Sequence, residues 1–74
     1  MTTLKIKDEY IKLGQALKLA GIAQSGVDAK QMIENGDVTV NGETELRRGK
    51  KLRDKDVVGV HDRTFVISSD ISCT

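Results

Sequence analysis

Leu4 and Ile6 alternate with Lys5 and Lys7 near the start of the chain, a period of two that predicts a short strand. The period then lengthens. Leu13, Ala16, Leu17 and Ala20 recur at i, i+3, i+4 and i+7, which lines them up as one buried stripe of a helix. Asp8 and Glu9 precede that pattern and favour the positive N-terminal end of the helix, and Gly21 supplies the left-handed residue that closes it. Ser25 to Asp28 then reads S-x-x-D, in which the serine hydroxyl caps an orphan backbone N–H of a second helix. Ala29, Met32 and Ile33 form the apolar face of that helix, and Gly36 stops it.

Beyond the helices, Val38-Thr39-Val40, Asn41-Gly42 and Glu43 to Leu46 read as a strand, a two-residue turn and a returning strand. Asn-Gly is a strong hairpin signal because both residues tolerate the positive φ of a type I′ turn. A basic segment follows as an exposed loop. Leu52, Val57, Val58 and Val60 give a further strand after the Asp54-Lys55-Asp56 turn, Thr64 to Ile67 gives the last strand, and Ser68 to Thr74 is expected to be a frayed tail. There is no internal repeat, low-complexity segment or linker, so residues 1–74 are expected to form a single α+β domain.

Composition narrows the class. With 74 residues the chain has room for one thin core, and a domain this small buries only about 60% of the surface its unfolded chain exposes. Its 38% hydrophobic and 31% charged residues suit a soluble globular domain rather than a disordered tail. The longest apolar stretch, Leu19 to Ala23, is far short of the roughly 20 residues of a membrane span, so no membrane partner is expected. Met1 to Asp8 lacks the apolar run of a secretory signal, and Cys73 is alone, which excludes an internal disulfide. A reducing cytoplasm is the expected location, with no metal cluster and no cofactor.

Net charge is only +1, but it is unevenly spread. Arg47 to Arg53 reads RRGKKLR, five cations in seven residues with no acid among them. Catalytic chemistry has little to work with. His61 is a lone histidine on a strand end or turn, Asp54 and Asp56 flank Lys55 as turn formers, and Gly14, Gly21 and Gly26 fit no phosphate-loop spacing. The chain is therefore read as a non-enzyme. Its only aromatic residues are Tyr10 and Phe65, too few to stack a run of bases. Backbone and shape recognition of folded RNA remains, through phosphates and 2′-hydroxyls. The basic loop suits that task, and the free N–H groups around Ser25 to Val27 at the start of the second helix offer a second phosphate site. Singly, each residue has a plainer role: Ser25 as a cap, Lys30 as a solvated lysine, Asn41 as a turn residue.

From Ile11 to Val60 the order of helix, link, capped helix, V-x-V-N-G hairpin, basic loop and acidic turn resembles the S4 RNA-binding domain family. The pieces Leu13-Gly14-Gln15, Leu17-Lys18-Leu19-Ala20-Gly21, Ala29-Lys30, Val38-Thr39-Val40-Asn41-Gly42-Glu43 and Arg47-Arg48-Gly49-Lys50-Lys51-Leu52 resemble its short stand-alone members of the YaaA and YbcJ kind. The resemblance implies the αL fold, two helices packed on a small curved, mostly antiparallel sheet, with residues 11–60 as its core. It implies a partner of structured RNA, ribosomal or transfer, and an association with the ribosome; a monomer is expected. Lys12 falls where the family commonly carries an arginine, so the resemblance implies a phosphate contact there; Ser25 falls on the usual Ser/Thr of the second helix's start, and Lys30 where a basic residue is frequent. With Arg47, Arg48, Lys50, Lys51 and Arg53 they form the expected RNA-binding set. Three departures stand out: Gly14 replaces a common aspartate, Gly26 a common arginine, and Lys55 a glycine. The second shifts weight from the helix tip to the loop, and the third requires a positive φ at Lys55 if the turn is unchanged. Two other readings stay open, a helix-turn-helix DNA binder and a protein-interaction module using the sheet edge or the hairpin.

Overall fold

The computed structural model describes residues 2–61 and 63–69. In chain order these form β1 (Thr2–Ile6), β2 (Ile11–Lys12), α1 (Leu13–Leu19), α2 (Gly26–Glu34), β3 (Val38–Val40), β4 (Glu43–Thr44), β5 (Lys51–Leu52), β6 (Val57–Val60) and β7 (Arg63–Ser69). The main sheet has five strands in the order β1-β7-β6-β3-β4, and β2 and β5 make a separate antiparallel pair. Within the main sheet only β1 and β7 run parallel, so the fold is the expected α+β arrangement with a mostly antiparallel sheet.

One core joins the layers. Leu13, Ala16 and Leu17 of α1 and Ala29 and Ile33 of α2 are buried with Val38, Val58, Val60, Phe65 and Ile67 from one face of the sheet. The alternation along the strands places Thr39, Gly59 and Val66 on the other face. Ile6, Phe65 and Ile67 also belong to this core, so close packing extends beyond residues 11–60 at both ends. Ala20, placed in the buried stripe by periodicity, is only half-buried because it is the C-cap of α1.

The local signals act where they stand in the chain. Ser25 Oγ accepts a hydrogen bond from the Asp28 N–H at 3.2 Å and caps α2. Gly21 and Gly36 follow the C-caps of α1 and α2 with φ of 77° and 80°. Asn41 and Gly42 take φ of 54° and 88°, as the hairpin turn requires. Lys55 adopts φ 74°, so the acidic turn keeps its shape although glycine is absent.

Four expectations are corrected. Helix α1 starts at Leu13, and no acid lies in its first turn. Asp8 and Glu9 precede β2 instead, because Ile11 pairs with Leu52 and holds the chain extended up to Lys12. The returning strand of the hairpin is only Glu43–Thr44, after which the chain leaves the sheet and Leu46 is exposed. Leu52 precedes the acidic turn in β5 rather than joining Val57–Val60. Ser68 and Ser69 are not frayed: they extend β7 and sit opposite Lys5 and Ile6. The rest of the expected tail, with Cys73, lies outside the described residues.

The acidic turn is built by its own side chains. Asp56 accepts from the Arg53 N–H at 2.7 Å and from Asn41 Nδ2 at 3.1 Å, and the Asn41 carbonyl oxygen accepts from the Val57 N–H at 2.9 Å. Asp54 accepts from the Ser69 N–H at 2.9 Å. Asn41 is thus more than a turn former, since it ties the hairpin to the start of β6.

Candidate nucleic-acid interface

The position of the basic segment is fixed by the helix it meets. The first N–H groups of a helix have no partner within it, and those of α1 are taken by the loop: Leu13 N–H donates to the Lys50 carbonyl at 2.8 Å and Gly14 N–H to the Arg48 carbonyl at 3.1 Å. Lys12, the N-cap, contributes no side-chain bond. The loop backbone therefore caps α1, and the loop's cations are held over the start of the helix pair. Gly14 permits this closeness, because a Cβ there would lie 2.9 Å from Arg48 Cγ.

An open groove of about 450 Å³ results, lined by Lys12, Gly14, Gln15, Lys18, Gly26, Arg48 and Gly49. Three cations and no acid line it, and Gly26 and Gly49 are exposed in its wall. Gly26 is the first residue of α2, so the start of α2 and the basic loop contribute to one groove rather than to two separate phosphate sites. The Asp28 N–H is already bonded to Ser25 Oγ, while the N–H groups of Gly26 and Val27 precede the first intrahelical bond. A small anion there meets flexible cations, a polar amide and a helix start of positive potential.

A second cationic group lies next to the first. Across the β2–β5 ladder Lys12 stands directly opposite Lys51. Like charges in that position destabilise a strand pair, and an anion bound between them relieves the repulsion. Lys51 Nζ is 4.8 Å and Arg53 Cζ 5.9 Å from the centroid of the Tyr10 ring, within the range of cation–π attraction.

Among the described residues no lysine or arginine side chain takes part in a salt bridge or donates a hydrogen bond; the one close approach of a basic and an acidic side chain is that of His61 Nε2 to Asp37 Oδ2, at 3.8 Å. The cations of the groove therefore make no ion pair or side-chain hydrogen bond among the described residues.

Of the expected set, Lys12 and Arg48 line the groove, and Lys51 and Arg53 gather at Tyr10. Ser25 acts as the cap of α2, next to Gly26 in the groove wall. Arg47 and Lys50 are exposed in the loop, and Lys30 is exposed on α2; none of the three lines the groove. Sequence reasoning missed Gln15 and Tyr10, and it offers Lys18 only as a cation with no place relative to the loop. Gln15 and Lys18 are three apart on α1 and so share a face, a spacing visible in the sequence but without sign of what that face meets. No described helix is long and apolar enough to cross a membrane, and among the described residues no group of three or more His, Cys, Asp or Glu is placed to hold a metal.

Comparison with known proteins agrees with this fold. The model of the S4 domain matches residues 4–68. Over 57 residues, 77% of this chain and 80% of the relative, the chain is 47% identical to the probable ribosome maturation protein RlbA of Bacillus subtilis (strain 168). The solution structure of YbcJ from E. coli, described as revealing an αL motif involved in RNA-binding, superposes with a TM-score of 0.73 at 30% identity, covering 93% of this chain and 89% of that one. The 30S ribosomal protein S4e of Thermoplasma acidophilum shares the fold, with a TM-score of 0.60 at 22% identity over 78% of this chain and 31% of that one.

Proposed function

The chain belongs to the S4 domain family, and from that premise we propose that it binds structured RNA by its phosphates, in association with the ribosome, and catalyses no reaction. One observation carries the reading: the cations around the start of α1 and α2 have no partner among the described residues and converge on one groove. The RNA-binding motif of YbcJ and the ribosome maturation role named for the Bacillus subtilis relative support the same partner class.

In this reading Lys12, Lys18 and Arg48 hold a phosphate in the groove, with the start of α2 at Gly26 as its floor. Arg47, Lys50, Lys51 and Arg53 extend the contact along the RNA backbone, and Lys30 continues it along α2. Ser25 acts indirectly by shaping the helix start. A ribosomal or transfer RNA is the partner this assigns, bound by a monomer in the cytoplasm.

The test is a mobility-shift titration with structured ribosomal RNA, transfer RNA and a matched DNA duplex, at two salt concentrations. RNA binding that exceeds DNA binding and weakens steeply with salt is the expected outcome, because neutralised phosphates release counterions. A preference for the DNA duplex selects the helix-turn-helix reading, and absence of RNA binding with salt-insensitive capture of a protein selects the interaction module.

A further inference from the structure

Beside the phosphate groove lies a second one, of about 430 Å³, lined by Asp8, Glu9, Tyr10, Ile11, Lys12 and Gln15. We propose that it receives a single unpaired nucleobase, so that the RNA this protein prefers is a duplex interrupted by an unpaired, amino-bearing nucleotide. The proposal rests on the RNA-binding reading above and specifies the RNA further.

Lys12 and Gln15 line both grooves, which makes the two neighbours. A phosphate held at Lys12 therefore leaves its own nucleotide next to Tyr10. The ring offers a stacking surface that serves any base, since every base has a π-face. Lys51 and Arg53 lie over the ring, and neither of them lines this groove. Attraction of the two cations to the ring favours one orientation of it before RNA arrives, which lowers the ordering cost of binding. Two separated aromatic residues cannot stack a run of bases, but one ring suffices for one base.

The acids explain why a base rather than a second phosphate belongs here. The carboxylates that serve the fold through hydrogen bonds are those of Asp28, Glu45, Asp54 and Asp56. The carboxylates of Asp8 and Glu9 take part in no hydrogen bond among the described residues, and both residues line this groove. An ionised carboxylate only accepts hydrogen bonds and repels phosphate, but it matches the exocyclic amino group of cytosine, adenine or guanine. Uracil carries no such group and is the base expected to gain least.

Tyr10 is the only tyrosine and the chain has no tryptophan, so tyrosine emission reports on this ring alone. The full chain is titrated with hairpins of one stem sequence: fully paired, with a bulged adenosine, with a bulged uridine, and with an abasic bulge that keeps the kink without the base. The bulged adenosine is expected to bind roughly tenfold tighter than the paired stem and to quench the emission, with the abasic bulge close to the paired stem. Tyr10→Ala should erase that advantage and Tyr10→Phe keep it. Asp8→Asn with Glu9→Gln, both at exposed positions, should reduce the preference of adenosine over uridine with the ring left in place. Equal affinity of the wild-type chain for bulged and paired stems overturns the base pocket and leaves RNA binding standing. Equal weakening of all hairpins by Tyr10→Ala also overturns it, reducing the ring to a support for Lys51 and Arg53. Failure of the wild-type chain to bind any hairpin overturns the RNA-binding reading itself.

Discussion

The turn between β5 and β6 and the groove at the start of the helix pair use charge in opposite ways. In the turn, the carboxylates of Asp54 and Asp56 are bonded to backbone N–H groups of Ser69 and Arg53, and Asn41 closes the network. In the groove, Lys12, Lys18 and Arg48 converge without a described partner, and the loop that carries Arg48 is tied to the start of α1 by its backbone carbonyls. The chain has 12 lysines and arginines against 11 acids, so its net charge conceals the difference. Where several acids are bonded into the fold and the cations are not, a nearly neutral protein presents a cationic face. Net charge is a poor guide to an anionic partner, and the allocation of charge to structure or to surface is a better one.

This division can be broken from either side. Replacing Arg47, Arg48, Lys50 and Lys51 together by alanine should lower RNA affinity by on the order of 100-fold or more at moderate salt and flatten the salt dependence by roughly three to four in slope, as four phosphate contacts would. Thermal unfolding followed by circular dichroism should barely change, since the loop caps α1 through carbonyls that alanine retains. Asn41→Ala should do the reverse. It removes two hydrogen bonds and places a β-carbon residue other than asparagine at φ 54°, for a loss of about 2 kcal/mol, with little effect on RNA affinity below the unfolding transition.

Gly14→Ala probes the joint between the two regions. The added Cβ would meet Arg48 Cγ at 2.9 Å and push the loop's side chain out of the groove. Roughly a tenfold loss of affinity is expected, with a smaller loss of stability of about 1 kcal/mol from overpacking. Titration and thermal unfolding of the same sample separate the two terms. Lys55→Gly carries the smallest effect. Relief of a left-handed lysine at φ 74° is worth about 1–2 kcal/mol and is partly offset by the backbone entropy of glycine, so the melting temperature should rise by a few degrees. RNA affinity should not change.

What was legible in the sequence was whatever a few neighbouring residues decide. The Asn-Gly turn, the Ser25 cap, the glycines after both helices and the positive φ of Lys55 are set within a turn's length, and each stands in the structure where it was read. The pairing of Ile11 with Leu52 and of β1 with β7 was not legible, because the partners are far apart in the chain and a two-residue ladder has no period. That pairing shortened α1 at its start and brought Ser68 and Ser69 into the sheet. The site followed the same rule. The cations of the loop declared themselves as a run, whereas Lys18 looks like any polar helix position until the loop is folded over it. Tyr10 is one of two isolated rings in the sequence, and only the β2–β5 pair brings Lys51 and Arg53 beside it.

The most direct test of the central claim is a backbone amide NMR titration of the full chain with structured ribosomal RNA. Phosphate recognition at the start of the helix pair should shift the amide signals of Gly14, Lys18, Gly26, Arg48 and Gly49 first and most, leaving Thr39, Gly59 and Val66 on the far face of the sheet unmoved. Shifts confined to that sheet face, with the groove silent, would contradict the assignment.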